Sequence, residues 1–179
     1  MTTSWRREVL KFWFGLDPDQ WWKPDPELDE QIRRRFLKLW SEQRQLPVAS
    51  FTADPLTALA AVILFDQLPR NMLRGQADQY ATDHLALAVA KEAVALTFDS
   101  ELEARERGFL YMPFQHSEQL GDQKQSLFLF SRLGDREQLR YAQLHHDIIA
   151  RFGRFPHRNQ LLGRAPRPDE IAAGKVTPW

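Results

Sequence analysis

Three stretches of the chain gather the side chains that proton transfer and anion binding require. They are Asp66-Gln67-Leu68-Pro69-Arg70-Asn71, the run from His116 to Gln123 that contains Glu118 and Asp122, and the run from His145-His146-Asp147 through Arg151, Arg154, His157, Arg158 and Asn159. Imidazoles exchange protons near neutral pH and neighbouring carboxylates can orient them. The planar fork of arginine grips two oxygens of a phosphate or carboxylate at once. These residue types together point to a site for a small anion. Asp66, Arg70, Asn71, Arg151, Arg154, His157, Arg158 and Asn159 are the expected binding residues, and His116, Glu118, His145 and His146 are the candidates for proton transfer. No single chemical step is assigned to any of them, so enzymatic activity stays an open alternative to binding alone.

Two of the stretches repeat a local phrase. Arg70-Asn71-Met72-Leu73-Arg74-Gly75 and Arg158-Asn159-Gln160-Leu161-Leu162-Gly163 share the pattern Arg-Asn-x-Leu-x-Gly, each shortly after a proline. The pattern predicts a short helical turn entered from an extended residue before the proline and closed by a left-handed glycine. Such a turn is either a local capping device or a means of presenting an Arg-Asn pair, and in the second case the two pairs line facing walls of one cleft. Their separation far exceeds a solenoid repeat of roughly 20 to 50 residues.

Other chemistries fit the residues less well. His116, His146-Asp147 and Asp169 follow the ligand order of helical HD-type phosphohydrolases, but Asp169 comes after Arg167-Pro168, outside any convincing core helix. His145 and His146 are adjacent, so on a helix they point about 100° apart rather than at one ion, and no His-Glu-x-x-His is present. No metal site is expected. Ser117 lacks the Gly-x-Ser-x-Gly elbow of a positioned nucleophile. Glycine-rich phosphate loops are absent, and no cofactor is expected.

The elements that must carry these residues read as helices. Asp25-Pro26 and Asp54-Pro55 each place a capping carboxylate before a proline at the first helical position. Leu28, Ile32, Phe36 and Leu39 then recur on one stripe of a helix expected to end near Gln45, and Leu56, Leu59, Ala60, Ile63 and Leu64 do the same after Asp54. Alanine and leucine dominate 78–97, which predicts another helix. A further helix is expected before Pro113, one over 123–133 closed by Gly134, and a long one over 136–152 with Gly153 as its left-handed cap. No strand-length run alternates between hairpin turns. The fold class is therefore all-α, a single compact multi-helix domain over 1–179 with six to nine helices.

Composition narrows the partners. With 24 basic and 24 acidic residues the formal net charge is zero, so no whole-domain field attracts nucleic acid. No run approaches the roughly 18 apolar residues of a membrane span, and a cytoplasmic location is expected. The absence of cysteine excludes disulfides, thiolate metal sites and a cysteine nucleophile. Phe12-Trp13-Phe14 and Trp21-Trp22 supply an alternative to the anion site: a helical module that binds a protein or peptide, with the polar motifs purely structural. Partners are thus a small anionic molecule or a peptide, without nucleic acid or membrane, and the oligomeric state is not set by the residues.

Four motifs carry a family likeness: Val9-Leu10-Lys11-Phe12-Trp13-Phe14-Gly15, Asp66-Gln67-Leu68-Pro69-Arg70-Asn71, Tyr111-Met112-Pro113-Phe114-Gln115-His116-Ser117-Glu118, and Ala150-Arg151-Phe152-Gly153-Arg154-Phe155-Pro156-His157-Arg158-Asn159. Through them the sequence resembles the bacterial family called domain of unknown function 924, DUF924, over nearly its whole length. In that family Glu typically stands where Gln115 does. The resemblance implies a tetratricopeptide-like all-helical array and implies no activity.

Overall fold

The computed structural model describes residues 4–177, and among them there are helices and turns but no strand. The chain divides into two compact units, one up to Leu110 and one from Tyr111 onward. In the first unit the helices are α1 (Ser4–Phe14), α2 (Pro26–Gln43), α3 (Pro55–Val62), α4 (Leu68–Met72) and α5 (Asp83–Ala95), and the unit boundary falls inside α6 (Ala104–His116).

The caps read from sequence are formed. Asp25 accepts from the N–H groups of Glu27 and Leu28 at 3.0 and 3.2 Å, and Asp54 accepts from Thr57 N–H at 3.0 Å and also pairs with Arg6 at 2.8 Å. The buried stripe of α2 is Leu28, Ile32, Phe36 and Trp40. Trp40 takes the place expected of Leu39 because its indole N–H reaches the Thr82 hydroxyl at 3.0 Å, and that hydroxyl donates to the Phe65 carbonyl at 2.7 Å. The same bond explains why 78–97 is not one helix. A 3₁₀ turn (Ala77–Tyr80) precedes α5, and the chain breaks at Thr82, whose side chain serves the neighbouring segment instead.

Between α3 and α4 the backbone widens into a π-helical turn over Ile63–Gln67, all of it buried. Such a turn accommodates one extra residue in the helix, and these insertions are frequent at functional sites. It carries the carboxylate of Asp66 into the interior, with no solvent exposure. Leu68 is helical (φ −59°, ψ −35°), not the extended residue expected before Pro69, because the proline sits in the first turn of α4, where its missing N–H costs nothing.

The second unit holds α7 (Leu120–Leu133), α8 (Arg136–Phe152), a 3₁₀ turn (Pro156–Arg158) and α9 (Pro168–Ala173). Gly134 (φ 82°) ends α7 and Asp135 caps α8 through Glu137 and Gln138, so the two pack as a helical hairpin. Gly153 (φ 68°) ends α8 as expected, and the core beside it is Ile148, Ile149, Phe152 and Phe155, with Ala173 and Val176 against it. The helix expected before Pro113 instead continues through it to His116. Tyr111, Met112 and Phe114 flank Pro113, and all four are buried. Their packing outweighs the ~3 kcal/mol that an interior proline ordinarily costs a helix.

Candidate functional site

In the first unit the Arg-Asn-x-Leu-x-Gly turn is tied to carboxylates. Both terminal nitrogens of Arg70 donate to Asp83 at 3.0 Å, one of them also donates to the Asp66 carbonyl, and that nitrogen lies 3.4 Å from the Asp66 carboxylate. Burial works against the Arg70 charge, but the two carboxylates outweigh it and hold the guanidinium more firmly protonated than usual. Asn71 donates to Asp29 at 2.9 Å, and Arg74 grips the same carboxylate at 2.6 and 3.0 Å. Gly75 closes the turn with φ 79°, in the left-handed region the sequence called for.

The second unit uses the same device with different partners. Asn159 donates to Glu170 at 2.9 Å, and Arg154 grips that carboxylate at 2.6 and 2.8 Å. The bonds from Arg154 hold the Glu170 carboxyl down at about 2 despite some desolvation, helped by the Arg167 N–H. Gly163 closes this turn with φ 63°. Here the residue before the proline, Phe155, is extended (φ −88°, ψ 106°), as expected.

Glu118 fastens the segment that carries this turn. Its two oxygens take both terminal nitrogens of Arg164 at 2.7 and 3.0 Å, and one of them accepts the Phe155 N–H at 2.7 Å. Burial raises the cost of its charge, but Arg164 and the backbone donor outweigh that and keep the carboxyl below its ordinary range. Arg164 also donates to the Phe155 carbonyl and to Asn159, both at 3.0 Å.

Around Phe155, which is fully buried, the cationic and titratable groups converge. The His145 ring lies 5.6 Å from it, the His157 ring 5.5 Å, and the Arg158 guanidinium 4.5 Å above its face. His116 stands 6.0 Å from His145, and Arg158 donates to the His116 carbonyl at 3.1 Å. His145 and Arg158 are buried, whereas His116 and His157 are partly open to solvent. The Nδ1 of His145 is 2.8 Å from the Tyr141 carbonyl, which can only accept, so that nitrogen bears the hydrogen and the neutral ring is basic at Nε2. Burial, reinforced by His116, Arg158 and His157 and opposed by the Tyr141 bond, pushes His145 down to about 3. Burial and Arg158 likewise push His157 to about 4, against the pull of Glu118.

The positions flanking His116 are pinned from α7. Gln123 donates to the carbonyls of Gln115 and Ser117, both at 2.7 Å, and the Ser117 hydroxyl donates to Asp122 at 2.7 Å. His146 bonds the exposed Asp147 at 3.0 Å, and the exposed Arg151 lies 4.7 Å over Phe152. Of the residues singled out from sequence, then, His116, Glu118, His145, His157 and Arg158 meet in one cluster, with Arg154 and Asn159 anchored beside it through Glu170. Asp66, Arg70 and Asn71 belong to the first unit's own network. Among the described residues no three His, Asp or Glu side chains form a group able to hold a metal ion. Sequence reasoning missed the hub Phe155 and the partners Asp83, Arg164 and Glu170. Glu170 alone carried a signal: it stands three residues after Arg167 with Pro168 between them, where an acidic side chain can reach back to the N–H of the capping residue, as it does at 2.8 Å.

Residues 9–173 match a family described as bacterial protein of unknown function, DUF924. A solved structure of a protein of unknown function from Agrobacterium tumefaciens is similar, with 35% sequence identity and a TM-score of 0.90, over 97% of this chain and 98% of that one. No curated protein matches the sequence.

Proposed function

The chain belongs to the DUF924 family of bacterial proteins, and within that fold we propose that the imidazole-guanidinium cluster of the second unit binds a small oxyanion, a phosphate or a carboxylate. The observation that supports it is the meeting of Arg158, His145 and His157 around one buried phenyl ring, with His116 from α6 against His145 and bonded through its carbonyl by Arg158. Half-buried donors in a low-dielectric surrounding attract an anion far more strongly than the same donors in water. Arg158 supplies the fixed charge, and His116 and His157 are the members open to an incoming ligand. Arg154, Arg164 and Asn159 hold the turn in place through Glu170 and Glu118. In the first unit Asp66, Arg70 and Asn71 are best read as the structural counterpart of this device, with Asp83 and Asp29 in the role of internal anions.

Thermal-shift measurement with inorganic phosphate and sulfate tests the reading. Oxyanions raise the melting temperature of the native chain more than chloride does at equal ionic strength, and His157→Gln reduces that difference while leaving the melting temperature without anion nearly unchanged. Equal stabilisation of the native chain and of His157→Gln, or none in either, refutes the site.

A further inference from the structure

Three of the five histidines of this chain lie close together beside Arg158: His145 and His157 share the Phe155 ring with it, and His116 stands 6.0 Å from His145. They come from separate elements, so their proximity is set by the fold, and a proton added to one ring is felt by the others. His145 meets His116 from the end of α6 and His157 and Arg158 from the 3₁₀ turn. Its own helix presents it with the Tyr141 carbonyl. His157 in turn faces Arg158, His116 and Arg164 as cationic or titratable neighbours, and Glu118 as an acidic one. The Glu118 carboxylate is already divided between Arg164 and the Phe155 N–H, so it offsets only part of the local positive charge.

Resting on the anion-binding reading above, we propose that an oxyanion enters this cluster together with protons on His145 and His157, so that the site loads in mild acid and discharges as the pH rises. Proton uptake follows from the geometry. Before an anion binds, each proton added to these rings meets Arg158 and the other imidazoles at close range in a poorly solvated place. A bound oxyanion placed among them reverses the sign of that interaction, and it adds acceptors that bond only to the protonated nitrogens. The two equilibria are then linked, and the anion affinity follows the number of protons taken up. Glu118 stays a carboxylate throughout, because Arg164 and the backbone donor hold it so.

Isothermal titration calorimetry with sulfate, which does not itself titrate between pH 5 and 8, separates this coupling from simple binding. Titrations at pH 5.5 and 7.5, each in two buffers of different ionisation heat, give the affinity and the number of protons exchanged. The expected result is a Kd that rises with pH, by up to about tenfold per pH unit for each proton taken up, with a heat that depends on the buffer. His157→Gln lowers the proton number and flattens the pH dependence. His145→Phe does the same, and if that variant fails to fold, His157→Gln carries the test. Binding with one Kd at both pH values and no buffer dependence overturns the coupling while the anion site stands. No heat and no thermal shift with sulfate at either pH overturns the site and the coupling together.

Discussion

At the scale of single residues, the molecule keeps two imidazoles neutral by burying them beside cations, which makes its stability depend on pH with a definite sign. His145 and His157 have lower pKa values in the fold than in the unfolded chain, so the unfolded chain binds more protons between about 3 and 6.5. Stability is therefore full above pH 6.5 and falls as the pH drops. The slope is at most about 1.4 kcal/mol per pH unit for each ring, and less for His157, whose partial exposure screens it. Urea denaturation at pH 5 and pH 7.5 measures the loss, and His157→Gln is expected to shrink it. Arg164 offers a second case: four of its bonds converge on Glu118, Phe155 and Asn159. Arg164→Ala is expected to cost about 2 kcal/mol, since it leaves a half-buried carboxylate with only a backbone donor. Arg164→Lys restores little of it, because an ammonium cannot span both carboxylate oxygens.

The elements are set by short-range chemistry, and their ends are where it shows. Gly153 closes α8 in the left-handed region, and an added Cβ there meets nothing within 4 Å. Gly153→Ala therefore costs only the backbone conformation, about 1 kcal/mol. Gly121, in the first turn of α7, also has open space and lacks the positive φ. Gly121→Ala is expected to stabilise by about 0.5–1 kcal/mol, and chemical denaturation of the pair reads both signs in one experiment. Where an element departed from its sequence signal, a distant partner decided it. Pro113 stays helical because its neighbours are buried, and 78–97 splits because Thr82 bonds the Phe65 carbonyl.

For the molecule as a whole, equal numbers of acidic and basic residues leave a sequence pI near 7.0, so solubility should pass through its minimum near neutral pH and rise on either side. Among the described residues no helix is long and apolar enough to cross a membrane. The all-helical class, the caps at Asp25 and Asp54, the left-handed glycines at 75, 134, 153 and 163, and the long helix ending at Phe152 were legible in the chain itself. Each is decided by atoms within about four residues, so the order of residue types specifies it. The Arg-Asn-x-Leu-x-Gly repeat was legible as a pattern, but its two copies differ in what their guanidiniums meet. Arg70 finds Asp83 from the next helix, while Arg158 finds the face of Phe155 among imidazoles from α6 and α8. Which carboxylate reaches which arginine, and which histidines are buried near which charge, depends on groups brought together from distant parts of the chain. Local periodicity carries no record of such distances, and tertiary packing alone fixes them.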